Sequence, residues 1–281
     1  MIPTAFDYQR AASIDDALAK LAAASGGKLL AGGHSLIPLM KLRMSEPAVL
    51  IDIARIPGLS GIRESSGAIE IGAATTHHEV ATSPLLAKTC PVVCEMAADI
   101  GDPQVRNKGT IGGSLAHADP AADYPAVMLA LDAEIQLRSA RGARVVKASE
   151  FFLGLFTVDL APDEMIVGVR FAPVKAAAYA KLHQRASHFA IVGVAAALEV
   201  KSGKISAARV GVTGAGPHAT RLKKVEAMLV GSAPTADAAR NAAAVASLDD
   251  LNSDIHASDE YRRAMVPVFA RRAIEAALAR V

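Results

Sequence analysis

Two glycine-rich segments constrain this chain more than anything else in it. Residues 109 to 114 read Gly-Thr-Ile-Gly-Gly-Ser. Without a Cβ, Gly109, Gly112 and Gly113 let the backbone reach positive φ and bring N–H groups close to an anion. Thr110 and Ser114 add hydroxyl donors on either side of Ile111. Ala31-Gly32-Gly33-His34-Ser35 follows the same grammar directly after the apolar Leu29-Leu30. Either segment alone reads as an ordinary tight turn. The pair predicts a diphosphate held from two sides.

With 281 residues the chain can bury a substantial core, as one large domain or two modest ones. Its 52% apolar share lies mostly in Ala, Val, Leu and Ile, with 4% aromatics and no Trp, so the core must be packed from small aliphatic side chains. Lys and Arg number 30 against 28 Asp and Glu, which gives no electrostatic case for nucleic acid or an acidic membrane. Cys90 and Cys94 are the only cysteines, so a disulfide framework and an all-cysteine iron–sulfur cluster within the chain are excluded. They read as small core residues in a reducing compartment. The sequence opens without a basic-then-apolar signal pattern, and no apolar run reaches the ~18 residues of a membrane span. The expectation is a cytoplasmic protein with no membrane insertion.

Along the chain, Ser13 with Asp15-Asp16 starts a helix that Gly26-Gly27 ends. Lys28 to Ala31 is a short strand delivering the first glycine segment, Leu36 to Leu42 a helical turn behind it, and Val49 to Ile53 a second strand. A small β-α-β unit results. Ile62 to Ala73 forms a hairpin about Ser65-Ser66-Gly67, and Thr76 caps a helix with Glu79 three residues on. His77-His78, adjacent rather than a turn apart, read as capping or surface residues instead of metal ligands. Leu85 to Ile100 reads as one long apolar helix, and Tyr124 to Leu131 as another. Glu134 to Leu137, Arg144 to Ala148 and Met165 to Phe171 read as an antiparallel layer. After Pro173 come three strands, Tyr179 to Gln184, Ile191 to Val200 and Ile205 to Thr213. Helices over Thr235 to Ser247 and Ser258 to Arg280 follow, predicting an α+β domain whose sheet is backed on one face.

Gly214-Ala215-Gly216-Pro217-His218-Ala219 matches a dinucleotide fingerprint between a strand and a helix expected over Thr220 to Val230. No second strand ending in a ribose-binding acid follows, so it reads as a plain turn. No Ser-His-Asp set, metal-ligand cluster or carboxylate pair stands out. A chain that binds a cofactor without an acid or base of its own suits an electron relay.

Ala31-Gly32-Gly33-His34-Ser35-Leu36-Ile37-Pro38-Leu39-Met40-Lys41 and the stretch from Gly109 to Asp123 resemble the two flavin-binding loops of the medium subunit of aerobic carbon monoxide dehydrogenase. That subunit has relatives throughout the xanthine dehydrogenase family of molybdenum hydroxylases. The likeness runs nearly end to end, from Met1-Ile2-Pro3 and Phe6-Asp7-Tyr8. The resemblance implies an α+β fold, with a two-lobed FAD-binding domain of the vanillyl-alcohol oxidase (PCMH) type over 1–177, its lobes about 1–57 and 58–177. A smaller domain of three strands plus helices then occupies 178–281. It implies FAD in this chain, with the molybdenum cofactor on a large partner subunit and two [2Fe–2S] clusters on a small one, assembled as a dimer of heterotrimers. Electrons would pass from the clusters to FAD and on to an external acceptor.

By position, Ala31 to Ser35 and Thr110 to Ser114 would enclose the diphosphate, chiefly through backbone N–H groups. Asp123 would accept from an FAD hydroxyl, Ile100 and Ile166 would make apolar contacts, and Lys181 would stand near the isoalloxazine or else be a solvated strand lysine. The family can carry Asp-Tyr where this chain has His188-Phe189; Phe189 can stack but cannot donate a hydrogen bond. His34 and His117 are expected to serve packing or cofactor contact, Asp102 and Arg106 as a turn acid and a surface base. Two other readings stay open: a self-contained flavin oxidase or reductase, and a non-redox nucleotide-binding scaffold.

Overall fold

The computed structural model describes all 281 residues. It contains three main sheets. In the first, the strands Asp7–Arg10 and Lys28–Leu30 flank Val49–Asp52, all parallel. The helix Ile14–Ala23 makes the crossover, capped by Ser13 Oγ accepting the Asp16 N–H. The exposed edge strand Asp7–Arg10 adds to the β-α-β unit expected from sequence.

The second sheet is antiparallel, in the order Ile62–Ser65, Ala68–Gly72, Met165–Phe171, Glu134–Ser139, Gly142–Lys147. Met165–Phe171 alternates poorly because it is buried on both faces at the sheet's centre. The helical span expected over 85–100 is broken into Pro84–Thr89 and Pro91–Ala98. Pro91 offers no N–H and disfavours helical backbone at the residue before it, and Cys90 accordingly sits at φ −153°, ψ 68°.

The third sheet runs Ala177–His183, Ala190–Lys201, Lys204–Thr213, Thr220–Arg221. Its last strand is two residues where a helix was expected, and the helix begins later, as Lys223–Leu229. The long helix Asp259–Leu278 packs on this sheet, and so does the helix Tyr124–Ala130 from the earlier part of the chain. Gly211 has no room for a Cβ because the Ala126 backbone lies against it. The sheet is thus covered on a second face by the preceding part of the chain, and not backed on one face alone. Ala190–Lys201 is mostly buried along its length for that reason. Two apolar cores result, of 44 and 23 buried residues, the larger around the first two sheets and the smaller beneath Asp259–Leu278. No helix is long and apolar enough to cross a membrane.

Candidate functional site

Between these layers lies a cleft of about 1230 Å³, larger than the roughly 300–1,000 Å³ of ordinary small-molecule sites. Both glycine segments line it. The first leaves the end of the strand Lys28–Leu30 and turns through Gly33 at φ +73° into the helix Leu36–Lys41. Gly33 O accepts from Ile37, yet the N–H groups of Ala31 through Ser35 donate to no other residue of the chain. The His34 ring folds back on the Gly32 carbonyl at 3.0 Å, leaving those amides uncovered.

The second segment is the start of the helix Ile111–His117, with Thr110 as N-cap. Its amides are largely engaged: Gly109 with Val105 O, Ile111 with Thr75 O, Gly112 with Ala73 O, Gly113 with Thr110 Oγ1 and Ser114 with Thr110 O. The Thr110 N–H and the Ser114 hydroxyl remain. Backbone meets backbone between the segments, since a Cβ on Gly32 would sit 2.6 Å from the Lys108 carbonyl carbon and 2.9 Å from Gly109 Cα. One row of free amides, closed from the far side by a glycine helix start, fits a diphosphate.

A ladder of polar contacts ties the last sheet to the cleft. Tyr179, Lys181 and His183 alternate along Ala177–His183 and so share one face. Tyr179 Oη donates to Asp123 Oδ1 at 2.6 Å, and Lys181 Nζ lies 3.0 Å from the same oxygen. Lys181 also donates to Asp99 O at 2.9 Å and lies 3.4 Å from Asp99 Oδ2, while His183 Nε2 meets Asp99 Oδ2 at 2.8 Å. Burial pushes the Asp123 carboxyl upward, and the Lys181 ammonium and Tyr179 hydroxyl oppose it. Burial pushes the Tyr179 hydroxyl well up, and the Asp123 charge adds to it.

Residues 4–174 match the family model described as FAD binding domain in molybdopterin dehydrogenase, and residues 177–277 that of the CO dehydrogenase flavoprotein C-terminal domain. The chain belongs to this family of molybdopterin dehydrogenase FAD subunits. It is 39% identical to the carbon monoxide dehydrogenase medium chain of Hydrogenophaga pseudoflava, over 100% of this chain and 99% of that one. It is 40% identical to the 6-hydroxypseudooxynicotine dehydrogenase complex subunit alpha of Paenarthrobacter nicotinovorans, over 100% and 97%. Among solved structures it matches carbon monoxide dehydrogenase from Hydrogenophaga pseudoflava at TM-score 0.96 and 40% identity, covering 100% and 99% of the two chains. It matches quinoline 2-oxidoreductase from Pseudomonas putida 86 at TM-score 0.93 and 32% identity, with 99% of each chain covered. It is an FAD-binding medium chain of an oxidoreductase, of the carbon monoxide and xanthine dehydrogenase type.

In this FAD subunit the cleft gathers most of the residues singled out from sequence. Ala31, Gly32, Gly33, His34, Ser35, Ile100, Thr110, Gly112, Gly113, Ser114, Asp123, Ile166 and Phe189 all line it, as does His117. Ile111 does not; its side chain is fully buried in the larger core. Lys181 does not line the cleft either, and at 1% side-chain exposure it is no solvated lysine. Phe189 is 45% exposed, on a hairpin tip that Gln184 Oε1 organises by accepting from Ala186 N, Ser187 N and Ser187 Oγ. Asp102 is the turn acid expected, accepting the Val105 N–H at 2.8 Å. Arg106 is not a surface base: its guanidinium donates to the Ile100 and Gly101 carbonyls at 2.9 and 3.0 Å and fixes that rim of the cleft.

Sequence reasoning missed His77. Its neighbour His78 is exposed, but His77 is 5% exposed and walls the cleft, its Nδ1 without a partner. Burial pushes its pKa down to about 4. A signal was available, because Gly109 makes room for this ring: a Cβ there would lie 2.7 Å from His77 Cδ2. The wall from Phe156 to Met165 was missed as well. No group of His, Cys, Asp and Glu able to hold a metal ion is found in the chain.

Proposed function

We propose that the cleft holds FAD, with its diphosphate on the free amides of Ala31 to Ser35 and facing the Thr110 and Ser114 hydroxyls. Gly112 lets that helix start seat against the neighbouring backbone, since a Cβ there would lie 2.6 Å from that of Ala73. Asp123 accepts from an FAD hydroxyl, its carboxylate aimed by Tyr179 and Lys181 from behind. Lys181 therefore acts through Asp123 rather than against the ring. Ile100 and Ile166 supply apolar wall, and Phe189 covers the ring from the hairpin. The uninterrupted run of amides with no partner in the chain carries this reading, because all but that of the exposed His34 belong to half-buried residues, whose N–H groups otherwise find partners.

FAD, when bound, accepts electrons singly or in pairs, and this chain's part is to bind, orient and shield it. The chain works as the electron-relay subunit of a cytoplasmic complex, beside a large molybdenum subunit and a small subunit with [2Fe–2S] clusters, as a dimer of heterotrimers. The flavoprotein domain extends to 177, and 178–281 forms the second domain. Substrate choice belongs to another chain. Relatives are named for substrates as different as carbon monoxide, nicotine, caffeine and xanthine.

The test is reconstitution. Purified chain incubated with FAD is expected to show protein-bound flavin absorption but no dehydrogenase activity, and the native complex to contain molybdenum and iron. Activity of the chain alone would favour a self-contained oxidase. Absence of flavin bands after FAD addition would refute the cofactor assignment.

A further inference from the structure

One wall of the cleft is acidic in sequence. Asp163 and Glu164 line it, and Asp159 begins the same segment. A dinucleotide brings its own phosphate charges into this space, so carboxylates turned inward would oppose binding. Arg144, on the outer strand Gly142–Lys147, gathers them from behind. Its Nε and Nη2 donate to Glu164 Oε1 and Oε2 at 2.7 Å each. Its Nη1 and Nη2 donate to Asp159 Oδ2 and Oδ1 at 2.8 and 3.2 Å, and Nη2 also to the Asp159 carbonyl at 3.0 Å. Glu164 Oε2 in turn accepts the Ala161 N–H at 2.8 Å, which closes the turn. Arg141 holds Asp163 at 3.0 Å. The Arg144 guanidinium keeps the Glu164 carboxyl below the usual carboxylate range. Neither arginine lines the cleft.

We infer that Arg144 is a positioning residue for the anionic cofactor: it holds Asp159 and Glu164 in ion pairs and neutralises them, so that the wall meets the dinucleotide without unpaired negative charge. The inference rests on the FAD reading above. A lysine has no planar fork to engage both carboxylates, so Arg144→Lys should replace it only in part.

The experiment titrates FAD into apo-protein and follows quenching of flavin fluorescence. Arg144→Met is expected to weaken FAD roughly tenfold or more. Part of that loss should return at high salt, where charge repulsion is screened. The double variant Arg144→Met/Glu164→Gln should recover part of it, since Glu164, the one of the two carboxylates that lines the cleft, no longer repels. A loss indifferent to salt and unrelieved in the double variant would mean lost packing and overturn the inference. If Arg144→Met does not fold, Glu164→Gln alone decides: tighter FAD binding supports the charge argument, and equal or weaker affinity overturns it. Wild-type protein that takes up no FAD sinks the cofactor reading itself; wild type and Arg144→Met binding FAD equally sink only this inference.

Discussion

Replacing Gly32 by alanine should separate the two loops and loosen FAD without unfolding the protein. The added methyl would lie 2.6 Å from the Lys108 carbonyl carbon, and closer still to its oxygen, with Gly109 Cα at 2.9 Å. These are main-chain atoms, so no side chain can swing aside. The Lys108 oxygen, the nearest atom, sets the shift: reaching an ordinary contact of about 3.4 Å requires the loops to part by about 1.5 Å. Overpacking of this kind costs about 1–3 kcal/mol. In the apo-protein much of that strain relaxes by opening the cleft, but a ligand gripped from both sides must pull the loops together again. The cost then falls on binding, as a loss of roughly 5- to 150-fold in FAD affinity. Flavin fluorescence titration gives the affinity, and thermal melts with and without FAD separate it from stability. Gly58→Ala is the control: its φ of +79° strains any side chain, but nothing lies within 4 Å, so stability should drop by about 1 kcal/mol with FAD affinity unchanged. A folded Gly32→Ala protein that binds FAD within about twofold of wild type would show that the loops do not close on one ligand.

Three further outcomes are expected. The unfolded chain protonates His77 near 6.5 but the native protein only at about 4, so stability should fall as pH drops through that window, by about 3 kcal/mol from this residue. His77→Gln should lose that component; equal pH slopes in urea titrations at pH 7 and 4.5 would contradict it. Lys181→Met leaves Asp123, whose side chain is 4% exposed, as a buried carboxylate without its ammonium. Stability should fall by about 3–5 kcal/mol, and less in Lys181→Met/Asp123→Asn; a single-variant loss under about 1 kcal/mol would refute the pairing. Burial pushes the Cys90 thiol up to about 12, so a disulfide thiol reagent at pH 8 should leave it unmodified until urea is added.

Much of the fold was legible because its signals are local. The Thr76–Glu79 capping box, the Ser13 cap and the β-α-β unit form as read. The break at Pro91 was written in the sequence too, in one residue that an otherwise apolar helical run concealed. Apolar periodicity tells which face is buried but not what covers it. That is why the second cover on the last sheet, the helix Tyr124–Ala130, was not foreseen.

The sequence by itself determined the chemistry on offer: two glycine turns and an acid at Asp123. The tertiary structure alone decided how that chemistry is shared out. The amides of Gly109 and of Ile111 through Ser114 looked as free as those of Ala31 through Ser35, yet they are taken up by Val105, Ala73, Thr75 and the helix's own first turn. Lys181 looked like a ligand-facing or solvated cation, yet it is locked between Asp99 and Asp123. Hydrogen bonds and ion pairs of this kind join residues far apart in the chain. Their energies depend on distances of a few ångströms that packing sets and that no local pattern encodes.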